Sequence, residues 1–217
     1  MELVQQIIAG AVVVGGAGTC VYYSVGRSGG VSIEDHFKSK KRTFVSEESE
    51  WKTREGIYKR LDDKSEEMIY GVENKDSNIT KVWMKIRNWC DKTKSKVFTN
   101  YEDKMYQSFS IWCLNNIDIQ TQLASEGLAD WSLQDQKMEE LTKEFNDPNK
   151  NLDSRFIEGT GKAKGENKKK QVTKENLKTW CTTNKAHNFK HELDQTYSRV
   201  KKWCFERKET PKTKKVI

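Results

Sequence analysis

Four Trp-Cys dipeptides occur in this chain, and their spacing repeats. Trp89-Cys90, seven residues, Phe98, thirteen residues and Trp112-Cys113 are followed by Trp180-Cys181, seven residues, Phe189, thirteen residues and Trp203-Cys204. The offset is a constant 91, and Asp103 with Asp194 and Tyr106 with Tyr197 keep it. Trp and Cys are rare residues, so the coincidence points to a duplicated unit, and self-similarity at a fixed period implies stacked copies of one supersecondary element. Upstream, Trp51 with Leu61 matches Trp131 with Leu141 at an offset of 80. The 11-residue difference predicts an insertion in the second copy, around Gly159–Gly165.

Both copies read as helical. Ile79, Val82, Trp83, Ile86, Trp89 and Cys90 fall on one face of a helix by the i, i+3, i+4, i+7 rule, and Tyr101, Met105, Phe109, Trp112 and Cys113 do the same. Phe189, Leu193, Tyr197, Val200, Trp203 and Cys204 form the matching stripe of the second copy. Thr99-Asn100-Tyr101-Glu102 has capping-box form, in which two side chains satisfy unpaired backbone N–H groups, and predicts a helix start there. Trp51, Ile57, Tyr58 and Leu61 suggest an earlier helix, matched by Trp131, Met138, Leu141 and Phe145. No strand-like alternation is sustained. The expectation is an all-α body of two tandem repeats with about three helices each, residues 46–117 and 118–206. Trp51, Trp89, Trp112, Trp131, Trp180 and Trp203 fill the cores as structural residues. A basic insertion near 159–170 interrupts the second repeat, and a basic tail at 207–217 follows it.

The N-terminus differs from the body. From Leu3 to Gly26 there is no charged residue, and about 20 helical residues span a ~30 Å hydrocarbon core. Tyr22 and Tyr23 lie towards one end, where amphipathic rings favour the interface. A cleaved signal peptide needs a basic start, which Met1-Glu2-Leu3 lacks, and a lipoprotein signal at Cys20 lacks it too. Residues 1–26 therefore predict a transmembrane anchor and 27–45 a juxtamembrane linker. Arg27, Lys38, Lys40, Lys41 and Arg42 follow the span, a charge bias that favours a cytoplasmic body.

Candidate chemistry is sparse. Cys90, Cys113, Cys181 and Cys204 admit two readings: reduced core thiols beside Trp, placed first, or one disulfide per repeat. A bridge needs Cα atoms about 4.4–6.8 Å apart. A turn near 98–101 brings Cys90 and Cys113 level, whereas a turn at 182–188 sets Cys204 roughly 20 Å from Cys181. Equal spacing means only one placement holds for both copies. Zinc sites favour close Cys pairs, which are absent. His187 and His191, four apart, read as solvated helix residues. Gly159-Thr160-Gly161-Lys162 lacks the earlier glycine and the Ser or Thr of a phosphate loop. No catalytic, cofactor-binding or metal residue emerges, so the expectation is a protein that is not an enzyme and carries no cofactor. The net charge of +7, with a third of residues charged, comes partly from Lys162–Lys170 and Arg207–Lys215. Such runs attract anionic partners without sequence preference, but the aromatics follow the core stripe rather than interleaving with the cations, which disfavours nucleic acid.

The arrangement resembles the paralogous protein families of haemotrophic mycoplasmas. Those also begin with a Gly/Ala-rich apolar segment and repeat Lys-x-Trp-Cys and aspartate-tyrosine-Trp-Cys patterns. Here Arg87-Asn88-Trp89-Cys90, Lys178-Thr179-Trp180-Cys181, Lys202-Trp203-Cys204 and the Asp/Tyr pairs carry the likeness, and Arg87 departs from the lysine. The resemblance implies no particular activity. It implies surface exposure and antigenic variation, with the membrane met through residues 3–26 and host surface molecules or antibodies as partners. The flanking charge favours the cytoplasmic side instead, with nucleic acid or anionic lipid as the partner class.

Overall fold

The computed structural model describes residues 30–147, 149–150 and 171–205. Eight α-helices follow in order: α1 Ile33–Ser39, α2 Glu48–Tyr58, α3 Val82–Thr93, α4 Lys104–Trp112, α5 Ile119–Ser125, α6 Asp135–Asn146, α7 Lys174–Lys185 and α8 Gln195–Cys204. Only isolated bridges of extended backbone accompany them among the described residues. The body is all-α. The predicted membrane anchor, residues 1–26, lies outside the described residues, as do the basic segments 159–170 and 207–217. Among the described residues no helix is long and apolar enough to cross a membrane.

Two apolar cores form, one drawn from Ile33–Leu114 and one from Ile119–Phe205. Each is built from four helices, not three. The difference arises from short first helices that the tryptophan pattern does not reach. Ser32 caps α1 by accepting from the Asp35 N–H at 3.0 Å, and Asp118 caps α5 by accepting from the Thr121 N–H at 2.6 Å. The Ile33 N–H donates to the Lys96 carbonyl, and the Ile119 N–H donates to the His187 carbonyl. Likewise the Phe98 N–H reaches Val31 and the Phe189 N–H reaches Ile117. Antiparallel bridges Ser32–Val97 and Asp118–Asn188 complete the match. Residues 31–45 are therefore part of the first unit rather than a linker, with Ile33, Phe37 and Val45 in its core.

The correspondence upstream of the Trp-Cys pairs also shifts. Trp51, Arg54 and Tyr58 occupy the buried positions of α2, and Met138, Leu141 and Phe145 occupy the same helix positions in α6. The offset there is 87, so Trp51 matches Met138 rather than Trp131, and the second long connection exceeds the first by four residues, not eleven. Trp131 sits in a single 3-10 turn ahead of α6 and is half-buried.

Helix starts differ for a local reason. Asp103 and Asp194 cap α4 and α8, accepting from the Met105 and Tyr197 N–H groups at 2.8 and 2.9 Å. Residues 99–102, predicted to open the helix, form a turn in which the Asn100 side chain accepts from the Glu102 and Asp103 N–H groups. A short Asn side chain that binds the backbone two and three residues on competes with helix. The connection of the second unit runs over 186–194, because α7 continues through residues 182–185 of the predicted turn at 182–188. His187 and His191 lie in that connection and not on a helix. Ile79, Ile57 and Leu193, assigned to core stripes, are exposed, and Trp89 is only half-buried. Leu61, Tyr101 and Met105 are half-buried too, whereas Val82, Trp83, Ile86, Cys90, Phe109, Trp112 and Cys113 with Phe189, Tyr197, Val200, Trp203 and Cys204 are buried, and so is Tyr106, which the predicted stripe left out.

Candidate functional site

The four candidate cysteines meet in pairs. Cys90 on α3 bonds to Cys113 just after α4, and Cys181 on α7 bonds to Cys204 at the end of α8. Their Cα atoms lie 5.7 and 5.6 Å apart. All four are half-cystines rather than thiols, because the connections at 94–103 and 186–194 bring the paired helices level. Each bridge pins the long central helix of a unit to its last one.

Buried tyrosines mark the second feature that repeats. Tyr106 on α4 and Tyr197 on α8 are 0 % and 2 % exposed. The Tyr197 hydroxyl donates to Glu126 at 2.5 Å, and the Lys201 ammonium lies 2.6 Å from the same carboxylate. The Tyr106 hydroxyl donates to both oxygens of Glu192 at 3.0 and 2.9 Å, and Lys40 pairs with that carboxylate. Burial first, then the adjacent carboxylate through its charge and the hydrogen bond it accepts, pushes both phenols above their ordinary range. Burial opposes ionisation of Glu126, yet hydrogen bonds from Lys201, Tyr197 and Gln122 outweigh it and hold the carboxyl below its usual value. A tyrosine made harder to ionise donates a hydrogen bond and does not act as a base or nucleophile. The Tyr106 cluster ties the two units to each other, and the Tyr197 cluster ties α8 to the end of α5 within the second unit.

His36 stands beside the first cluster, stacked on Phe98 at 3.8 Å between ring centroids. Burial and then the neighbouring Lys40 charge lower its pKa to about 4, against the pull of Glu192, so the ring is neutral at physiological pH.

A shallow cleft of about 290 Å³ separates the units, lined among others by Glu66, Glu67, Lys104, Lys190 and His191. Its cations are spoken for: Lys104 reaches Glu66 at 3.3 Å and Lys190 reaches Glu67 at 2.5 Å. Among the described residues no group of three or more His, Cys, Asp or Glu side chains could hold a metal ion. The surface carries many Lys–carboxylate pairs, several at helical i, i+4 spacing, and such exposed pairs contribute little to stability. Tyr70 and Ile79, in the connection between α2 and α3, are 100 % and 94 % exposed.

The carboxylate partners escape sequence reasoning. Tyr106 and Tyr197 obey the 91-residue offset, but Glu192 and Glu126 do not correspond to each other, so no spacing rule links them. No protein-family model, curated protein sequence or solved structure matches this chain.

Proposed function

We propose that this chain is a membrane-anchored, non-enzymatic interaction protein. Two disulfide-closed helical units form its body, displayed outside the cell, and divergent charged helix faces meet host molecules or antibodies. The observation that carries the reading is the pair of bridges, Cys90–Cys113 and Cys181–Cys204. Disulfides form and persist in oxidising surroundings and are rare where glutathione and thioredoxin keep thiols reduced. Residues 3–26 supply the anchor by their length and lack of charge. The resemblance to the paralogous mycoplasma families adds surface exposure and antigenic variation. The same anchor with a cytoplasmic body is the competing reading, favoured by Arg27, Lys38, Lys40, Lys41 and Arg42 after the span.

Membrane-impermeant thiol labelling of intact cells separates the two, with and without impermeant reductant and with denaturation after a thiol block in each arm. Labelling of Cys90, Cys113, Cys181 and Cys204 only after impermeant reduction is the expected result. Labelling only after lysis, without reduction, overturns surface display and moves the proposal to a cytoplasmic module acting on nucleic acid or anionic lipid. Protease added to intact cells gives an independent reading, since a displayed body exposes residues 31–217 to cleavage.

A further inference from the structure

The residue that caps the end of each short first helix is where the two units part company. Lys40 is the C-cap of α1 and Glu126 is the C-cap of α5. These are equivalent places, since α1 and α5 have seven residues each, matching N-caps and matching backbone bonds. Glu126 meets the buried tyrosine of its unit's last helix directly, whereas Lys40 shares the Glu192 carboxylate with Tyr106. In the second unit the C-cap side chain is a carboxylate, and it takes the Tyr197 hydrogen bond itself. In the first unit it is an ammonium, which has three donors and no acceptor. Tyr106 therefore finds no carboxylate at that place, and among the described residues of its own unit its hydroxyl meets only the His36 ring nitrogen Nε2 at a long 3.5 Å.

The acceptor comes from the other unit. Glu192, in the connection between α7 and α8, reaches Tyr106 through both oxygens and pairs with Lys40. Its side chain is 13 % exposed. The Lys40 ammonium also donates to the Tyr101 hydroxyl at 3.2 Å. Neighbouring contacts follow the same path. Ser110 donates to the Lys190 carbonyl at 2.5 Å, Lys190 pairs with Glu67 across the joint, and the Arg42 guanidinium lies 5.2 Å from the Phe189 ring centre.

We propose that Lys40 and Tyr106 form a carboxylate socket on the first unit whose dedicated occupant is Glu192 of the second, and that Glu126 closes the corresponding site of the second unit. Docking then has a direction. The first unit requires an acidic neighbour, and the second carries its own acid and ends the array. A buried hydroxyl and a half-buried ammonium left without the carboxylate would lose their charge-assisted bonds, so the socket favours the docked arrangement. The assignment does not depend on which side of the membrane the body occupies.

The test uses the full chain in mild detergent and follows tryptic cleavage after Lys190, read by mass as the fragment beginning at His191. Glu192→Gln and Lys40→Glu are each expected to raise that cleavage about fivefold, because cleavage tracks the population of the opened joint. Lys40→Glu places in the first unit the residue that the second already uses. Cleavage after Arg87 and Lys94 should therefore stay at the wild-type rate, because a carboxylate at position 40 takes the Tyr106 hydrogen bond. In the Lys40→Glu background, Glu192→Gln is expected to add no further cleavage, the socket being already closed. Unchanged cleavage after Lys190 in either single variant overturns the proposal. So does an effect of Glu192→Gln that persists undiminished in the Lys40→Glu chain. A rise throughout the first unit in Lys40→Glu also overturns it, marking Lys40 as a general structural residue.

Discussion

Lys41 follows the C-cap of α1 with a φ of +57°, and Gly127 stands at the same place after α5 with a φ of +78°. The Lys41 N–H donates to Lys38 and the Gly127 N–H to Ala124, so the two helix ends close alike. Only glycine adopts this left-handed conformation without steric cost. Lys41→Gly should therefore stabilise the first unit by about 0.5–1 kcal/mol, the relief of strain exceeding the greater chain entropy of glycine. A rise in the thermal midpoint checks this. His36 supplies a pH dependence at the same scale. Its folded pKa of about 4 lies below the ordinary value of 6.5, so the unfolded chain binds the proton more readily. The contribution is complete above pH ~6.5 and is lost as pH falls towards ~4. Lys40, Tyr101, Tyr106 and Glu192 face the ring from α1, the 99–102 turn, α4 and the second unit. The urea midpoint should fall between pH 7 and pH 5, and His36→Gln should remove part of that fall. His191, whose pKa burial also lowers, adds to it in the same direction.

At the scale of elements, α2 and α6 share a register but differ at their central buried position. Arg54 lies where α6 has Leu141. Its guanidinium donates to the Ile111 carbonyl at 2.7 Å, to the Leu114 carbonyl and to Asn116 at 3.3 Å. These acceptors lie at and beyond the end of α4, where backbone carbonyls lose their helical partners. Burial lowers the Arg54 pKa to about 10, so the cation persists at neutral pH. Arg54→Leu copies the second unit's residue but leaves the Ile111 and Leu114 carbonyls without this donor. A loss of about 2–3 kcal/mol is expected, read from the denaturant midpoint. Tyr58 organises the neighbouring connection in a similar way. Its hydroxyl accepts from the Ile69 N–H at 3.0 Å and donates to the Val72 carbonyl at 2.8 Å, while the Trp112 indole donates to Glu67 at 2.7 Å. Phe145 stands in that place in α6 and has no hydroxyl, so Asn146 takes over with paired bonds to Val172.

For the whole molecule, two small cores joined by a four-residue connection at 115–118 depend on covalent closure. Each bridge spans a sequence separation of 23 residues, and closing a loop of that size is worth about 3 kcal/mol in the chain-entropy description. Reduction should lower the unfolding midpoint of the whole chain. Replacing Cys181 and Cys204 by Ser should loosen the second unit while the Cys90–Cys113 bridge still holds the first. Hydrogen exchange resolved by segment checks both outcomes.

From the sequence alone came the all-α class, the duplicated core and the buried faces of α3, α4 and α8. Each rests on periodicity, a relation among residues three or four apart on one helix. Asp103 and Asp194 were visible as a repeated pair, although their role as caps was not, because Thr99-Asn100-Tyr101-Glu102 offered an equally local start. Tertiary structure alone decided that Ile33 and Ile119 open helices. It also decided that Trp51 answers to Met138, that the cysteines pair within each unit and that Tyr106 borrows Glu192 from the second unit. Those outcomes join residues far apart in the chain. Their chemistry depends on which side chains the packed helices bring within 3 Å, a distance that no spacing along the sequence encodes.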